Sequence, residues 1–291
     1  MKWEGNRESD NVEDRRGSGG GGGMPVFGGR SIGIGTIVIA LLGGWVLGIN
    51  PLTILGLLSG GGMPAQVQQA PAQRPPADDT MARFVSTVLA DTEDVWQTVF
   101  LEGGGRYQGP RLVLFRGATP TACGTGQAAM GPFYCPADQK VYIDLGFYET
   151  LKSRLGAPGD FAQAYVIAHE VGHHVQHLLG ITSKVDQMRG RVSQKEYNAM
   201  SVRLELQADC FAGVWAHHAQ NARQILEQGD VEEAMNAAAR IGDDALQRAS
   251  GGAVVPDSFT HGSSAQRQRW FHTGLKQGSV QACDTFSARS L

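Results

Sequence analysis

A segment in the middle of the chain is predicted to be a helix packed against a core, and it constrains the fold more than any other feature. Its apolar run Ala164-Tyr165-Val166-Ile167-Ala168 predicts burial along one side of the helix. Asp160, after Pro158-Gly159, is a good N-cap residue, and Gly180 is a good residue to end a helix. The sequence therefore predicts a helix over roughly residues 161–179.

The same segment carries the motif His169-Glu170-x-x-His173. Two histidines four residues apart lie on one face of a helix, so both imidazoles can bind one metal ion. Glu170 can then act on a water molecule bound to that ion, which is the arrangement of zinc hydrolases. The alternative is a surface helix with solvated histidines. The apolar run favours the metal interpretation, because buried histidines and a buried glutamate need compensation that a metal supplies.

A zinc ion bound by two histidines and a water molecule lacks one protein ligand. Glu205 and Asp209 lie four residues apart in a long helix predicted over 195–219, so both point to one face. We expect Glu205 to bind the metal and Asp209 to accept a hydrogen bond from the outer nitrogen of a ligand histidine. The alternative is a solvated acidic face, but the apolar neighbours of both acids predict a buried helix.

Two further histidines follow the motif. His174 and His177 are expected at the rim of the site or behind its ligands. His173 and His177 are also four residues apart, but that pair lacks a glutamate placed like Glu170. The longer pattern with a third ligand histidine is absent, because Gln176 and Leu179 occupy the positions it would need, so a glutamate is the expected third ligand.

His261 lies in a loop before a predicted helix. A loop histidine near the metal can act as a catalytic residue by donating a hydrogen bond to the oxyanion of a tetrahedral intermediate. The alternative is an ordinary helix entry, capped by Ser263 or Ser264.

Composition bounds the number of domains and the kind of partner. The chain has 291 residues, of which 42% are hydrophobic and 18% are charged, and its net charge is −3. This balance predicts one membrane segment and one folded domain of about 200 residues. It shows no electrostatic pattern for binding nucleic acid, so no nucleic-acid partner is expected.

The order of predicted elements indicates the fold class. Strands are predicted at 111–115 and 140–145, and long helices follow at 195–219, 231–249 and 264–276. Strands early in the chain and helices late predict an α+β domain, mostly helical with a small sheet.

Residues 32–58 form an uncharged stretch of 27 residues, which is long enough to predict one transmembrane helix and a lipid bilayer as partner. Five lysines and arginines precede it, and only Arg74 follows within 20 residues. The positive side stays in the cytoplasm, so the bulk of the chain is expected in the periplasm or outside the cell. We therefore expect a polar, disordered cytoplasmic tail over 1–31, a Gly/Pro-rich linker over 59–79 and a folded domain over 80–291.

The four cysteines agree with that location, because an even number without a CxxC motif allows two disulfides. Glycines and prolines make the stretch between Cys123 and Cys135 a compact loop, which favours a bond between these two. Cys210 would then pair with Cys283. The alternative is four buried thiols.

Several of these motifs together resemble those of the bacterial neutral zinc metallopeptidase family. The resemblance covers nearly the whole chain and implies a membrane-anchored peptidase of the zincin type. The segments that carry it are Asn11–Gly17, Gly131–Pro136, Ala157–Tyr165, His169–His174, Glu205-x-x-x-Asp209 and Thr260–Gly262.

These observations combine into one hypothesis, zinc-dependent hydrolysis of peptide bonds. One Zn²⁺ per chain would be held by His169, His173 and Glu205, and Glu170 would act as general base. The rival is a membrane-tethered binding or scaffold protein in which zinc is structural or absent. A third possibility is a metal-dependent hydrolase of amides other than peptides.

Overall fold

The computed structural model describes residues 1–17, 73–128, 131–249 and 253–291. Within these ranges the fold is a small sheet followed by a set of packed helices, as an α+β domain requires. The strands are β1 (Val12–Asp14), β2 (Arg111–Phe115), β3 (Ala118–Thr121), β4 (Gly124–Gln127), β5 (Phe133–Cys135) and β6 (Lys140–Asp144). The helices are α1 (Thr80–Glu102), α2 (Gly146–Ser153), α3 (Asp160–Leu178), α4 (Ile181–Asp186), α5 (Gln194–Arg223), α6 (Asp230–Arg240), α7 (Asp243–Ala249) and α8 (Ser264–Gln277).

The main sheet has the strand order β1-β2-β6-β5. β1, β2 and β6 run parallel, and β5 is an antiparallel strand at one edge. Both faces are covered, because successive residues of β2 and of β6 point in opposite directions and nearly all are buried. β3 and β4 form a separate antiparallel hairpin.

The motif helix α3 is buried around most of its circumference, beyond the single side that its apolar run predicts. It packs on α5 through Gly172, where an added Cβ atom would lie 3.0 Å from the carbonyl oxygen of Ala208. A larger residue at position 172 would therefore require α5 to move by a few tenths of an ångström. The predicted helix end at Gly180 is confirmed by its left-handed backbone, with φ of 71°. The predicted N-cap is wrong: Gly159 caps α3, and the Asp160 carboxylate accepts from the Met1 amino group at 2.7 Å.

Both predicted disulfides are present in the structure. Cys123 bonds Cys135, and Cys210 on α5 bonds Cys283 in the turn after α8. The alternative of four free thiols is thereby excluded.

The expected disordered tail is wrong for residues 1–17. β1 pairs in parallel with β2, and the buried Glu13 carboxylate accepts hydrogen bonds from Lys140, Arg15 and Arg111. These charges hold the pKa of Glu13 at about 2, although burial by itself would raise it. A strand of three residues is too short to show periodicity, which is why the sequence pattern missed it.

This N-terminal strand bears on the predicted membrane segment. Residues 32–58 lie outside the described residues, and no helix of the described part is long and apolar enough to span a bilayer. Asp14 pairs with Gln73, so residues on both sides of the segment 18–72 belong to one folded unit. The crossing by residues 32–58 and the location of the folded domain stay predictions; a single crossing would have to separate β1 from its neighbour β2.

Candidate metal centre

Three predicted ligands come together where α3 and α5 face each other. The Glu205 carboxylate places Oε2 3.2 Å from Nε2 of His169 and Oε1 3.5 Å from Nε2 of His173. A tetrahedral zinc ion, with bonds of about 2.0–2.1 Å, keeps its ligand atoms roughly 3.3–3.4 Å apart. Two imidazole nitrogens and a carboxylate within 4.8 Å of one another therefore fit one zinc ion.

The outer nitrogen of His169 is held by a buried charged network. Nδ1 of His169 donates to Asp209 Oδ1 over 2.8 Å, and the Tyr165 hydroxyl donates to the same oxygen over 2.5 Å. Arg267 on α8 donates to both carboxylate oxygens of Asp209, over 2.8 and 2.9 Å. Asp209 is completely buried. The network fixes the tautomer of His169 that leaves Nε2 available for a metal.

The charges of this network shift the pKa values of its members. Burial lowers the pKa of His169, but the Asp209 and Glu205 carboxylates outweigh it and raise the value to about 9. Burial raises the pKa of Asp209, but Arg267 and His169 outweigh it and lower the value to about 2. Asp209 is thus a carboxylate at neutral pH, and only a carboxylate can accept from all three donors.

His173 is held by neutral groups instead. Its Nδ1 lies 2.9 Å from Oε1 of the fully buried Gln176, one turn further along α3. Burial lowers the pKa of His173, but Glu205 outweighs it and raises the pKa. Glu205 is correspondingly held well below its ordinary pKa by His173 and His169, against the effect of burial. The ligand carboxylate is therefore ionised, as metal binding requires.

Glu170 lies next to the three ligands and is only 7% exposed. It forms no hydrogen bond or ion pair with any residue that the structure describes. Burial raises its pKa, and the nearby histidines only partly oppose that shift. A buried carboxylate with unused acceptor capacity and a raised pKa is suited to take up a proton.

His261 lines the same cleft as the ligands, from the loop before α8. Its Nδ1 donates to Asp243 Oδ1 over 3.1 Å, and Asp243 Oδ2 accepts the backbone N–H groups of Thr260, His261 and Gly262. The Asp243 hydrogen bond raises the pKa of His261. Ser263 also caps α8, so the helix-entry interpretation and the cleft position are both correct.

The other two histidines of α3 lie away from the metal site. His174 is completely buried, with Nε2 2.7 Å from the carbonyl oxygen of Gln108 and Nδ1 3.0 Å from the Tyr134 hydroxyl. Burial lowers its pKa to about 4. His177 packs near the Tyr134 ring. The expectation of a position at the rim or behind the ligands is wrong for His174, whose ring nitrogens face Gln108 and Tyr134 and join α3 to the sheet edge.

An open cleft of about 930 Å³ leads to the ligands. Its lining residues come from the segment around β5, the start of α2, α3, α7 and the His261 loop. Apolar residues and the charged site share this lining, including Phe133, Phe147, Val166, Leu155 and Ile241. Its volume lies within the range of about 300–1,000 Å³ that is usual for ligand-binding clefts.

Sequence reasoning missed three residues that support this site. Arg267 neutralises Asp209, Asp243 holds His261, and Gln176 holds His173. Only Gln176 carried a sequence signal, because it lies three residues after His173 on the same helix. Arg267 and Asp243 act across long sequence separations that periodicity does not reveal.

Comparison with known proteins identifies the family of the chain. The family model described as "Putative neutral zinc metallopeptidase" matches residues 1–286. A protein of Escherichia coli K12, named "Uncharacterized protein YpfJ", is 54% identical over 293 residues, covering 98% of this chain and 99% of its own. "Uncharacterized protein Rv2575" of Mycobacterium tuberculosis H37Rv is 42% identical over 225 residues, covering 72% of this chain and 73% of its own. No solved structure matches significantly. With its sequence matched almost end to end by the family model, the chain belongs to the neutral zinc metallopeptidase family.

Proposed function

We propose that this protein hydrolyses peptide bonds with one zinc ion bound by His169, His173 and Glu205. One observation carries the proposal: the three ligand atoms lie within 4.8 Å of one another beside the buried Glu170, which has no partner among the described residues. Two histidines on one helix with a glutamate from a second is the gluzincin-like ligand set. Three protein ligands leave a tetrahedral ion one open position, as catalytic zinc sites require.

The residues around the ligands supply the proton transfers. His169, His173 and Glu205 would hold a zinc ion that would supply Lewis-acid activation of a water molecule and of the scissile carbonyl group. Glu170 accepts a proton from the attacking water and passes it to the nitrogen of the leaving amine. Its raised pKa supports both halves of this exchange, because the protonated form must persist until the amine departs.

His261 is proposed to stabilise the negative charge that develops on the carbonyl oxygen. Asp243 accepts a hydrogen bond from Nδ1 of His261, so Nε2 is left to bind a ligand in the cleft. The raised pKa of His261 favours the imidazolium, whose Nε2–H can donate to an oxyanion. Half of its side chain is exposed, so a substrate must cover it before this bond reaches full strength.

The decisive experiment is Glu170→Gln, assayed against a broad peptide library. We expect bound zinc and an unchanged fold, with cleavage reduced by about 10²–10⁴-fold, which is the usual contribution of a general base. The matched variant Glu205→Ala should lose zinc affinity instead. Cleavage by Glu170→Gln at the wild-type rate would refute the proposed mechanism. Zinc bound by the wild type, with no cleavage of any peptide, would favour the non-catalytic binding protein.

We also propose that the folded unit lies outside the cytoplasm. The two disulfides support this, since such bonds persist in oxidising compartments. The shared sheet of β1 and β2 supports the same side for both flanks of residues 18–72. Asn6→Cys and Asp78→Cys, probed in intact cells with a membrane-impermeant maleimide, should both be labelled. Labelling of Asp78→Cys alone would favour a single crossing and contradict this arrangement.

A further inference from the structure

A chain of buried amides connects His173 to the C-terminal disulfide. Gln176 Nε2 donates to the carbonyl oxygen of Leu204 over 2.6 Å and to Oε1 of Gln207 over 3.1 Å. Gln207 Nε2 donates in turn to the carbonyl oxygen of Cys283 over 2.9 Å. Gln176 is completely buried and Gln207 is 5% exposed. The amide nitrogen and oxygen of both side chains each have at least one protein partner.

The backbone carbonyl groups of Leu204 and Cys283 determine which way each of the two amides points. A carbonyl oxygen can only accept, so it must face the NH₂ group of an amide. Cys283 therefore orients Gln207, whose oxygen then faces Gln176. Leu204 and Gln207 together accept hydrogen bonds from both hydrogens of the Gln176 amide, so the oxygen of this amide faces His173. An oxygen in that position accepts, so Nδ1 of His173 must carry the hydrogen and Nε2 must be free for the metal.

The Cys210–Cys283 disulfide fixes the far end of this chain. Cys210 lies on α5, directly after Asp209, and both cysteines are completely buried. The bond holds the Cys283 carbonyl against the helix that also provides Glu205. Thr285 and Arg203 hydrogen-bond across the same junction. Loss of the disulfide is therefore expected to loosen the C-terminal turn rather than release it.

We propose that Gln176 is the positioning residue for His173, and that Gln207 and the Cys210–Cys283 disulfide extend this support to the C-terminal turn. The inference rests on the proposed zinc site. Zinc affinity should therefore depend on the redox state of Cys210–Cys283 and not on that of Cys123–Cys135. Cys123–Cys135 joins the hairpin region to β5, far along the chain from these amides, and provides the matched control.

The test measures zinc affinity by chelator competition in the full chain. Gln176→Leu should weaken binding by about 10–100-fold, the usual effect of removing the partner of a ligand histidine. Gln207→Met and the double variant Cys210→Ser/Cys283→Ser should each weaken it less, by severalfold. Cys123→Ser/Cys135→Ser should leave it unchanged. Equal affinities for wild type, Gln207→Met and Cys210→Ser/Cys283→Ser would overturn the inference, even if Gln176→Leu fails to fold.

A second measurement separates positioning from general stability. Nitrogen chemical shifts of the imidazoles report which nitrogen carries the hydrogen, provided that the metal-free protein is measured at alkaline pH, where both rings are neutral despite their raised pKa values. Gln176→Leu and Gln207→Met should alter the tautomer balance of His173 and leave that of His169 unchanged. Lower stability without a change at His173 would make the amides merely structural and refute the inference. Because this measurement needs no metal, it remains decisive even if the wild type binds no zinc and the proposed function fails.

Discussion

His169 and His173 lie one turn apart on the same helix, yet the protein holds their outer nitrogens by unlike means. His169 faces the ionised Asp209, which is neutralised by Arg267. His173 faces the neutral amide of Gln176. Removing one member of a buried ion pair leaves an uncompensated charge, whereas removing a neutral amide leaves at most unsatisfied dipoles. The two sides of one metal centre should therefore differ in how much stability, and how much pH dependence, they contribute.

The largest expected effect follows from Asp209→Asn, which keeps the shape and removes the charge. Arg267 would remain buried without a counterion, and the new NH₂ group would face groups that donate. We expect the free energy of unfolding to fall by about 3–5 kcal/mol and zinc affinity to fall by about 10–100-fold. Denaturant unfolding of metal-free protein and chelator competition measure the two losses.

The control for that variant removes both charges. Asp209→Asn/Arg267→Met should recover much of the lost stability, because no unpaired charge remains buried. It should not recover zinc affinity, since His169 still lacks its carboxylate. If Asp209→Asn were as stable as the wild type, the charged partner of His169 would contribute no more stability than the neutral partner of His173, contrary to our expectation.

Lowering the pH is expected to have a smaller effect, which is the loss of the stability that the Asp209 carboxylate contributes beside His169. The pKa of Asp209 is depressed to about 2, from an ordinary value of 3.8, so its stabilisation is complete above pH 4. It is lost as the pH falls toward 2, and a shift of this size is worth about 2 kcal/mol. The stability gap between wild type and Asp209→Asn should narrow by that amount between pH 5 and pH 2.

The neutral side provides the comparison. The difference in free energy of unfolding between wild type and Gln207→Met should stay constant from pH 5 to pH 2, because the amides of Gln176 and Gln207 do not titrate. Urea unfolding of metal-free protein at each pH measures both gaps. A gap for Asp209→Asn that does not change with pH would show that the carboxylate is not held in its ionised form.

How much of this site the sequence predicts depends on the distance over which each residue acts. His169, Glu170 and His173 share one helix, and Glu205 and Asp209 share another, so helical spacing was enough to select all five. Arg267 reaches Asp209 from a helix 58 residues further along the chain, and spacing contains no information about such a contact. The amide chain was missed because a glutamine is ordinarily a surface residue, and only burial from several elements at once turns it into a connector.

The smallest expected effect comes from Gly172→Ala, which acts on both sides through their shared framework. A Cβ atom at residue 172 would lie 3.0 Å from the carbonyl oxygen and 3.1 Å from Cα of Ala208, so α5 must move by a few tenths of an ångström. Alanine favours the helix by about 1 kcal/mol, while overpacking costs roughly 1–3 kcal/mol. The net loss of stability should be about 1 kcal/mol. Because α5 carries Glu205 and Asp209 together, zinc affinity should fall severalfold while the tautomers of both histidines stay as in the wild type. If nitrogen chemical shifts changed at only one of the two imidazoles, the α3–α5 contact would not position the hydrogen-bond partners of both histidines.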